Sequence, residues 1–451
     1  MLMVETPRPR VVREHPKAGW LAVGTVCFGA FMGQLDASIV TLTFPALQRE
    51  FGTPLAAVQW VSLAYLLTLV GLVAVAGRVA DALGRKLVYG YGFAVFTLAS
   101  AACGLAPGLG WLVGFRVLQA LGAAMLQANS VALVVTSVRH DQARAALGVQ
   151  AAAQALGLAL GPALGSLLVD TAGWRWVFWV NVPIGCLALL AGRFLLPRTR
   201  ERTPLGRFDW PGLGLLAVTT TSVLLLLSGF SGLRLPGWTV VALAAGFAAG
   251  AVLLYRTERR TANPLVDLSV LRPRAVSAGL AGALCGYLVL FGPLTLFPQV
   301  LGAHAGLVLT ALPAGFALAA LTAGKVLPSG WSTGARATLG AGISVLGTGA
   351  LIFTGTTPLA AGMLLALTGI GLGVFIPANN AAIMAAIPRR MSATGGGLVN
   401  MARGLGTALG IALVTFFLHL GSVPGALGAL AVAAVLMGLT GLLLRPAGAR
   451  R

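Results

Sequence analysis

Apolar stretches of about 20 residues alternate with short polar connections along this chain, and the alternation recurs fourteen times. Wound as a helix, a stretch of that length matches the ~30 Å hydrocarbon core of a bilayer. The predicted spans lie at about 20–43, 56–77, 87–106, 111–135, 145–168, 176–196, 211–230, 237–255, 275–297, 306–325, 336–355, 358–379, 401–419 and 425–444. Gly and Pro are frequent inside them, which bilayer helices tolerate because neighbouring helices satisfy freed backbone groups. The first stretch lacks a small-residue cleavage site and is read as a retained span. The pattern predicts an all-α integral membrane protein.

The connections carry the orientation. With a cytoplasmic N-terminus, 26 of the 31 Lys and Arg residues fall on the inner side. Only Arg49, Arg175 and Arg234 fall outside, and Arg116 and Arg403 lie within spans. That asymmetry predicts two cytoplasmic termini. The two longest inner connections, about 197–210 and 256–274, flank the seventh and eighth spans. The expected organisation is a six-helix bundle over 1–196, two extra spans with their loops over 197–274, and a second six-helix bundle over 275–451. Two parallel halves about an axis normal to the membrane are implied.

Composition narrows the functional classes. Hydrophobic residues make up 57% of the 451 residues, charged ones 9%, and the mean hydropathy is +0.90. A net charge of +20 on a soluble domain would suggest nucleic acid. Here the charge is scattered in short clusters between spans, so no nucleic-acid partner is expected. Cys27, Cys103, Cys186 and Cys285 are far apart and apolar in context, with no disulfide or metal spacing. No phosphate-binding loop exists: the single Gly-Lys pair, Gly324-Lys325, is followed by Val. No ATP, no cofactor and no metal are expected, and one acid with two arginines at depth is too little for a membrane enzyme.

Asp36 is the exception that matters. It is the only one of eleven acidic residues at membrane depth. A carboxylate there costs about 2.5–3.5 kcal/mol on insertion scales. Its charged form is the expensive one, which makes Asp36 a candidate proton carrier. Arg116, in the fourth span, cannot discharge and must face a cavity or a partner, or snorkel to the interface near Trp111. Gln119, Asn129, Asn379, Asn380 and Asn400 are polar at cavity depth, each either an interhelical hydrogen-bonding group or a ligand contact.

The first inner loop reads Gly77-Arg-Val-Ala-Asp81-Ala-Leu-Gly84-Arg85-Lys86. Gly77 would admit a close neighbour, Gly84 a tight turn, and Asp81 could pair with a cation or a helix end. This loop resembles the signature between spans two and three of the major facilitator superfamily, with Ala82 where a basic residue is common. In that family the loop acts as a cytoplasmic latch. Leu35-Asp36-Ala-Ser38-Ile-Val40-Thr41-Leu-Thr43-Phe-Pro45 is similar to the first-span signature of its fourteen-span drug/proton antiporters, with Ser38 and Thr41 in place of the usual Thr and Asn. Arg116-Val-Leu-Gln119-Ala-Leu-Gly122-Ala123 resembles the span-four motif implicated in proton transfer. Gly157-Leu-Ala-Leu-Gly161-Pro162-Ala-Leu-Gly165-Ser166 resembles the antiporter motif of span five; its glycines form one small-residue face beside a proline bend. Trp174-Arg175-Trp176-Val-Phe178-Trp179-Val-Asn181 also resembles these antiporters and reads as an outer aromatic belt with an anchoring role.

The resemblance implies a major facilitator fold and a proton-coupled antiporter in the cytoplasmic membrane of a prokaryote. It would export hydrophobic or amphipathic small molecules by alternating access, with protons and the lipid bilayer as its other partners. The open alternatives are an exporter of one endogenous metabolite, an uptake symporter and, more distantly, a transport-dead membrane sensor.

Overall fold

A computed structural model describes residues 5, 7–199, 209–261, 270–302, 305–328, 330–354, 357–387 and 392–444. Among them there is no strand, and fourteen helices are long and apolar enough to cross a membrane. They are α1 (Ala18–Phe51), α2 (Leu55–Leu83), α3 (Arg85–Gly104), α4 (Leu109–Ser137), α5 (Ala145–Thr171), α6 (Trp176–Leu195) and α7 (Trp210–Phe230). The others are α8 (Gly237–Arg260), α9 (Arg274–Leu301), α10 (Ala305–Val326), α11 (Thr333–Thr354), α12 (Pro358–Ala386), α13 (Gly395–His419) and α14 (Val423–Leu443). The fold is the expected all-α, fourteen-span arrangement.

Local sequence sets several ends. At α7, the Asp209 carboxylate accepts a 2.8 Å bond from Gly212 N, and at α14 the Ser422 hydroxyl accepts 3.0 Å from Gly425 N. Each cap satisfies an otherwise orphaned amide, and each helix has Pro in its first turn. α3 begins after Gly84, whose φ of +118° a side chain rarely adopts. α1 outruns its expected limit of about 43. It tightens into a 3-10 turn over Val40–Thr43 and resumes as the amphipathic segment Phe44–Phe51. Hydropathy stops at the polar Gln48-Arg49-Glu50, but helical geometry does not.

The chain divides into two compact units, one with residues 1–51 and 60–207, the other with 52–59 and 208–451. In the first unit α1 packs on α5, α2 on α4, α3 on α4 and α6, and α1 on α6. In the second unit α9 packs on α13, α10 on α12, α11 on α12 and α14, and α9 on α14. The two patterns are the same with every helix number raised by eight. This is the repeat that two six-helix halves require, although their sequences do not visibly match. The extra pair belongs to the second unit, where α7 packs on α8 and on α13. Only 6% of the apolar window of α8 is buried, as expected for a peripheral span. The connection holding Asn263-Pro264-Leu265 lies outside the described residues, as does His304.

Candidate functional site

Asp36 sits midway along α1 and is fully buried. Arg116 reaches it from α4, with 1% of its surface exposed. Arg116 Nη1 donates to Asp36 Oδ2 at 2.7 Å and to Gln119 Oε1 at 2.6 Å, and its Nε donates to the Val61 carbonyl at 2.9 Å. The guanidinium carbon stands 4.1 Å from the ring centre of Tyr65 and 5.8 Å from that of Phe178. The arginine therefore does not snorkel: it is held by one carboxylate, two neutral oxygens and two aromatic faces.

Gln119 lies one helical turn from Arg116 and completes the link. Its Nε2 donates to Asp36 Oδ1 at 2.9 Å and to Ser100 Oγ at 3.2 Å. Asn181, from α6, donates through Nδ2 to Asp36 Oδ1 at 3.4 Å and to Ser100 Oγ at 3.2 Å. Ser100 in turn donates to the Phe178 carbonyl at 2.9 Å. Side chains from α4 and α6 thus bond the single carboxylate of α1, with Ser100 of α3 linking them behind it. Among the described residues, one buried polar atom of the cluster has no hydrogen-bond partner, the side-chain oxygen of Asn181.

The glycine face of α5 holds α1 in place behind this cluster. A Cβ at Gly157 would overlap the Phe31 carbonyl, one at Gly161 would overlap Ser38 Oγ, and one at Gly165 would come 2.8 Å from Ile39 Cγ1. Pro162 is inside the same helix. The small residues therefore face the helix that carries Asp36.

The connection between α2 and α3 is a second, separate constellation. Asp81 accepts from Arg85 Nε at 2.9 Å across one turn, with both side chains partly exposed. Lys86 is buried and its Nζ donates to the Arg193 carbonyl at 2.9 Å; Arg8 Nε donates to the Leu195 carbonyl at 2.7 Å. Two cations so cap the C-terminal end of α6. Burial pulls the Arg8 guanidinium below its ordinary value. Glu5 is buried against the loop and accepts from Leu87 N at 3.3 Å, Thr199 N at 2.9 Å and Thr199 Oγ1 at 2.8 Å. A Cβ at Gly84 would overlap the Glu5 carboxylate. Around Gly77 there is space: a Cβ would lie 3.8 Å from Ala128 Cβ, an ordinary contact.

The other polar residues do not join the Asp36 cluster. Asn129 donates to the Met125 carbonyl of its own helix at 2.7 Å. Asn379 donates to the Gly279 carbonyl at 2.8 Å, and the side-chain oxygens of Asn379 and Asn380 are buried without partners among the described residues. Asn400 is half-buried on α13, one turn before Arg403.

Sequence reasoning missed Ser100, Tyr65, Glu5 and above all Asn181. The aromatic segment around Asn181 reads as an anchor in lipid, but the structure corrects this for most of it. Trp174 is 3% exposed, Trp174 Nε1 and Arg175 Nη1 both donate to Glu50 at the C-terminal end of α1, and Asn181 faces Asp36. Only Trp176, half-exposed, fits an aromatic belt.

A family model described as Major Facilitator Superfamily matches residues 26–411. The riboflavin transporter RibZ of Clostridioides difficile (strain 630) is 29% identical over 89% of this chain and 88% of its own length. The multidrug resistance protein Stp of Mycobacterium tuberculosis (strain CDC 1551 / Oshkosh) is 31% identical over 86% of this chain and 73% of its own. A crystal structure of the human organic anion transporter MFSD10 (TETRAN) superposes with a TM-score of 0.65 at 17% identity, covering 96% of this chain and all of that one, a likeness of fold.

Proposed function

From a chain that belongs to the Major Facilitator Superfamily, and so is a multi-pass membrane transporter of small molecules and not an enzyme, we propose a proton-coupled antiporter. It exports hydrophobic or amphipathic compounds from the cytoplasm by alternating access, with both termini cytoplasmic. The observation that carries this reading is the fully buried Asp36 carboxylate bound to Arg116.

Arg116 keeps its charge at any working pH, so Asp36 is the member that gains and loses a proton. Protonation cancels the ion pair and leaves a buried guanidinium without its counter-charge, a situation that costs about 3–5 kcal/mol. A conformation in which Arg116 meets water or a substrate group is then favoured, and the equilibrium shifts toward it. Closing the cluster again around an ionised Asp36 requires the proton to leave. Each proton moving inward contributes about 2.3 kcal/mol per 100 mV, besides the pH gradient. Gln119 belongs to this proton site. Gly157, Gly161, Pro162 and Gly165 serve as the close contact that positions α1. Gly77, Asp81, Gly84, Arg85 and Lys86 serve as the cytoplasmic latch. Asn379, Asn380 and Asn400 are assigned to the substrate path, and Asn129 to helix packing.

Asp36→Asn tests this. The variant mimics the neutral acid at nearly the same volume. Reconstituted in vesicles, it should insert normally yet lose both uphill export and substrate-driven proton movement, followed with a lumenal pH dye. Normal proton-coupled export by Asp36→Asn would move the proton site elsewhere, and a parent that transports without moving protons would end the antiporter reading. The similarity to a protein named for multidrug resistance favours a broad substrate range. A second reading, transport of one metabolite, has the riboflavin transporter in its favour; a compound panel in the same vesicles separates the two.

A further inference from the structure

The second unit holds a cation that the proton site does not use. Arg403 lies on α13, whose helical backbone runs back to Ser392, and Tyr287 lies midway along α9. Each is more than ~15 Å from either end of its helix at 1.5 Å per residue. The Arg403 guanidinium carbon is 5.1 Å from the Tyr287 ring centre, and Phe291 stacks on that ring at 6.5 Å and 20°. The approach is fixed by backbone. A Cβ at Gly406 would overlap the Leu284 carbonyl, and one at Gly410 would come 2.9 Å from the Leu288 carbonyl.

The guanidinium has an aromatic face and no anion. Among the described residues Arg403 forms no ion pair and no side-chain hydrogen bond. The sequence explains why: no Asp or Glu occurs after Asp267, so α9–α14 carry no carboxylate side chain at all. In the first unit, by contrast, Arg116 has Asp36. A charge within a membrane span without a counter-charge is costly and is retained where it meets a ligand. The side chain is also partly open, not sealed as Arg116 is.

We infer that Arg403, backed by Tyr287, is a substrate-binding position that takes an anionic group, and that the transported class includes aromatic amphiphiles bearing one carboxylate or ionised phenol. The guanidinium fork presents paired N–H donors to such an anion, and a flat aromatic body suits the neighbourhood of the Tyr287 and Phe291 rings. This rests on the transporter reading but not on Asp36 as the proton site.

The test uses a matched pair of fluorescent amphiphiles, dansylglycine and its neutral amide dansylglycinamide, titrated into purified full-length protein. The parent should bind the carboxylate about tenfold or more tightly than the amide, the scale of a charge-assisted hydrogen bond. Arg403→Gln should bind both equally, with the amide affinity unchanged, which also reports that the variant is folded. Arg403→Lys should keep part of the preference, and it decides the matter if Arg403→Gln does not fold. No preference in the parent, binding of neither compound, a preference that survives Arg403→Gln, or one that Arg403→Lys erases in a folded protein overturns the inference. Because binding needs no gradient, the outcome is independent of the vesicle assay on Asp36→Asn.

Discussion

Asn181 holds the one unspent hydrogen-bonding atom beside Asp36. A buried acceptor without a donor costs ~1–3 kcal/mol, so it persists where another state of the site uses it. A protonated carboxyl is a donor, and the amide of Asn181 can turn its oxygen to that proton. Asn181→Ala removes this acceptor together with a long 3.4 Å bond to the ionised form. Export should slow about tenfold, at unchanged abundance and substrate binding. Equal rates for variant and parent would reduce Asn181 to packing. Asp36 and Arg116 were legible from sequence because charge stands out against an apolar background. Asn181 was not, since it is 145 positions from Asp36 and its neighbours are aromatic. Apolarity all round a membrane helix hides which face meets which neighbour.

At the scale of helices, the contact of α5 with α1 is where backbone meets backbone. Gly157 has the Phe31 carbonyl and Leu35 N where its Cβ would stand, and neither can rotate away. Gly157→Ala must therefore push α1, and with it Asp36, out of place. Overpacking of this kind costs about 1–3 kcal/mol. The purified variant should melt at lower temperature and transport more slowly. Gly148→Ala, on the same helix with nothing within 4 Å of the added carbon, should do neither. Equal melting of both variants and parent would show that α1 yields freely. The four-residue period of the glycines announced one close face, but the partner lay outside what periodicity carries. The end of α1 was missed for a related reason: hydropathy measures transfer to lipid, and Phe44–Phe51 is helical without being apolar.

Across the whole molecule, charge is distributed by two different rules. The basic residues gather in alternate connections, those on the same side as the termini in the fourteen-span order, which predicts that tags fused to either terminus report the cytoplasm; a tag reporting the opposite side would remove the orientation. The acids are confined to the chain before residue 268, so the two halves share a packing plan but not an electrostatic one. Counting spans was enough to expect two halves, whereas their common packing became visible only in three dimensions. Glu5 adds a last consequence. Its carboxylate fills the space that a side chain at position 84 would need, while accepting from Leu87 at the head of α3 and from Thr199 beyond α6. The bareness of Gly84 and the reach of Glu5 are thus two halves of a lock and its key: bulk can be supplied from either side of that seat, never from both.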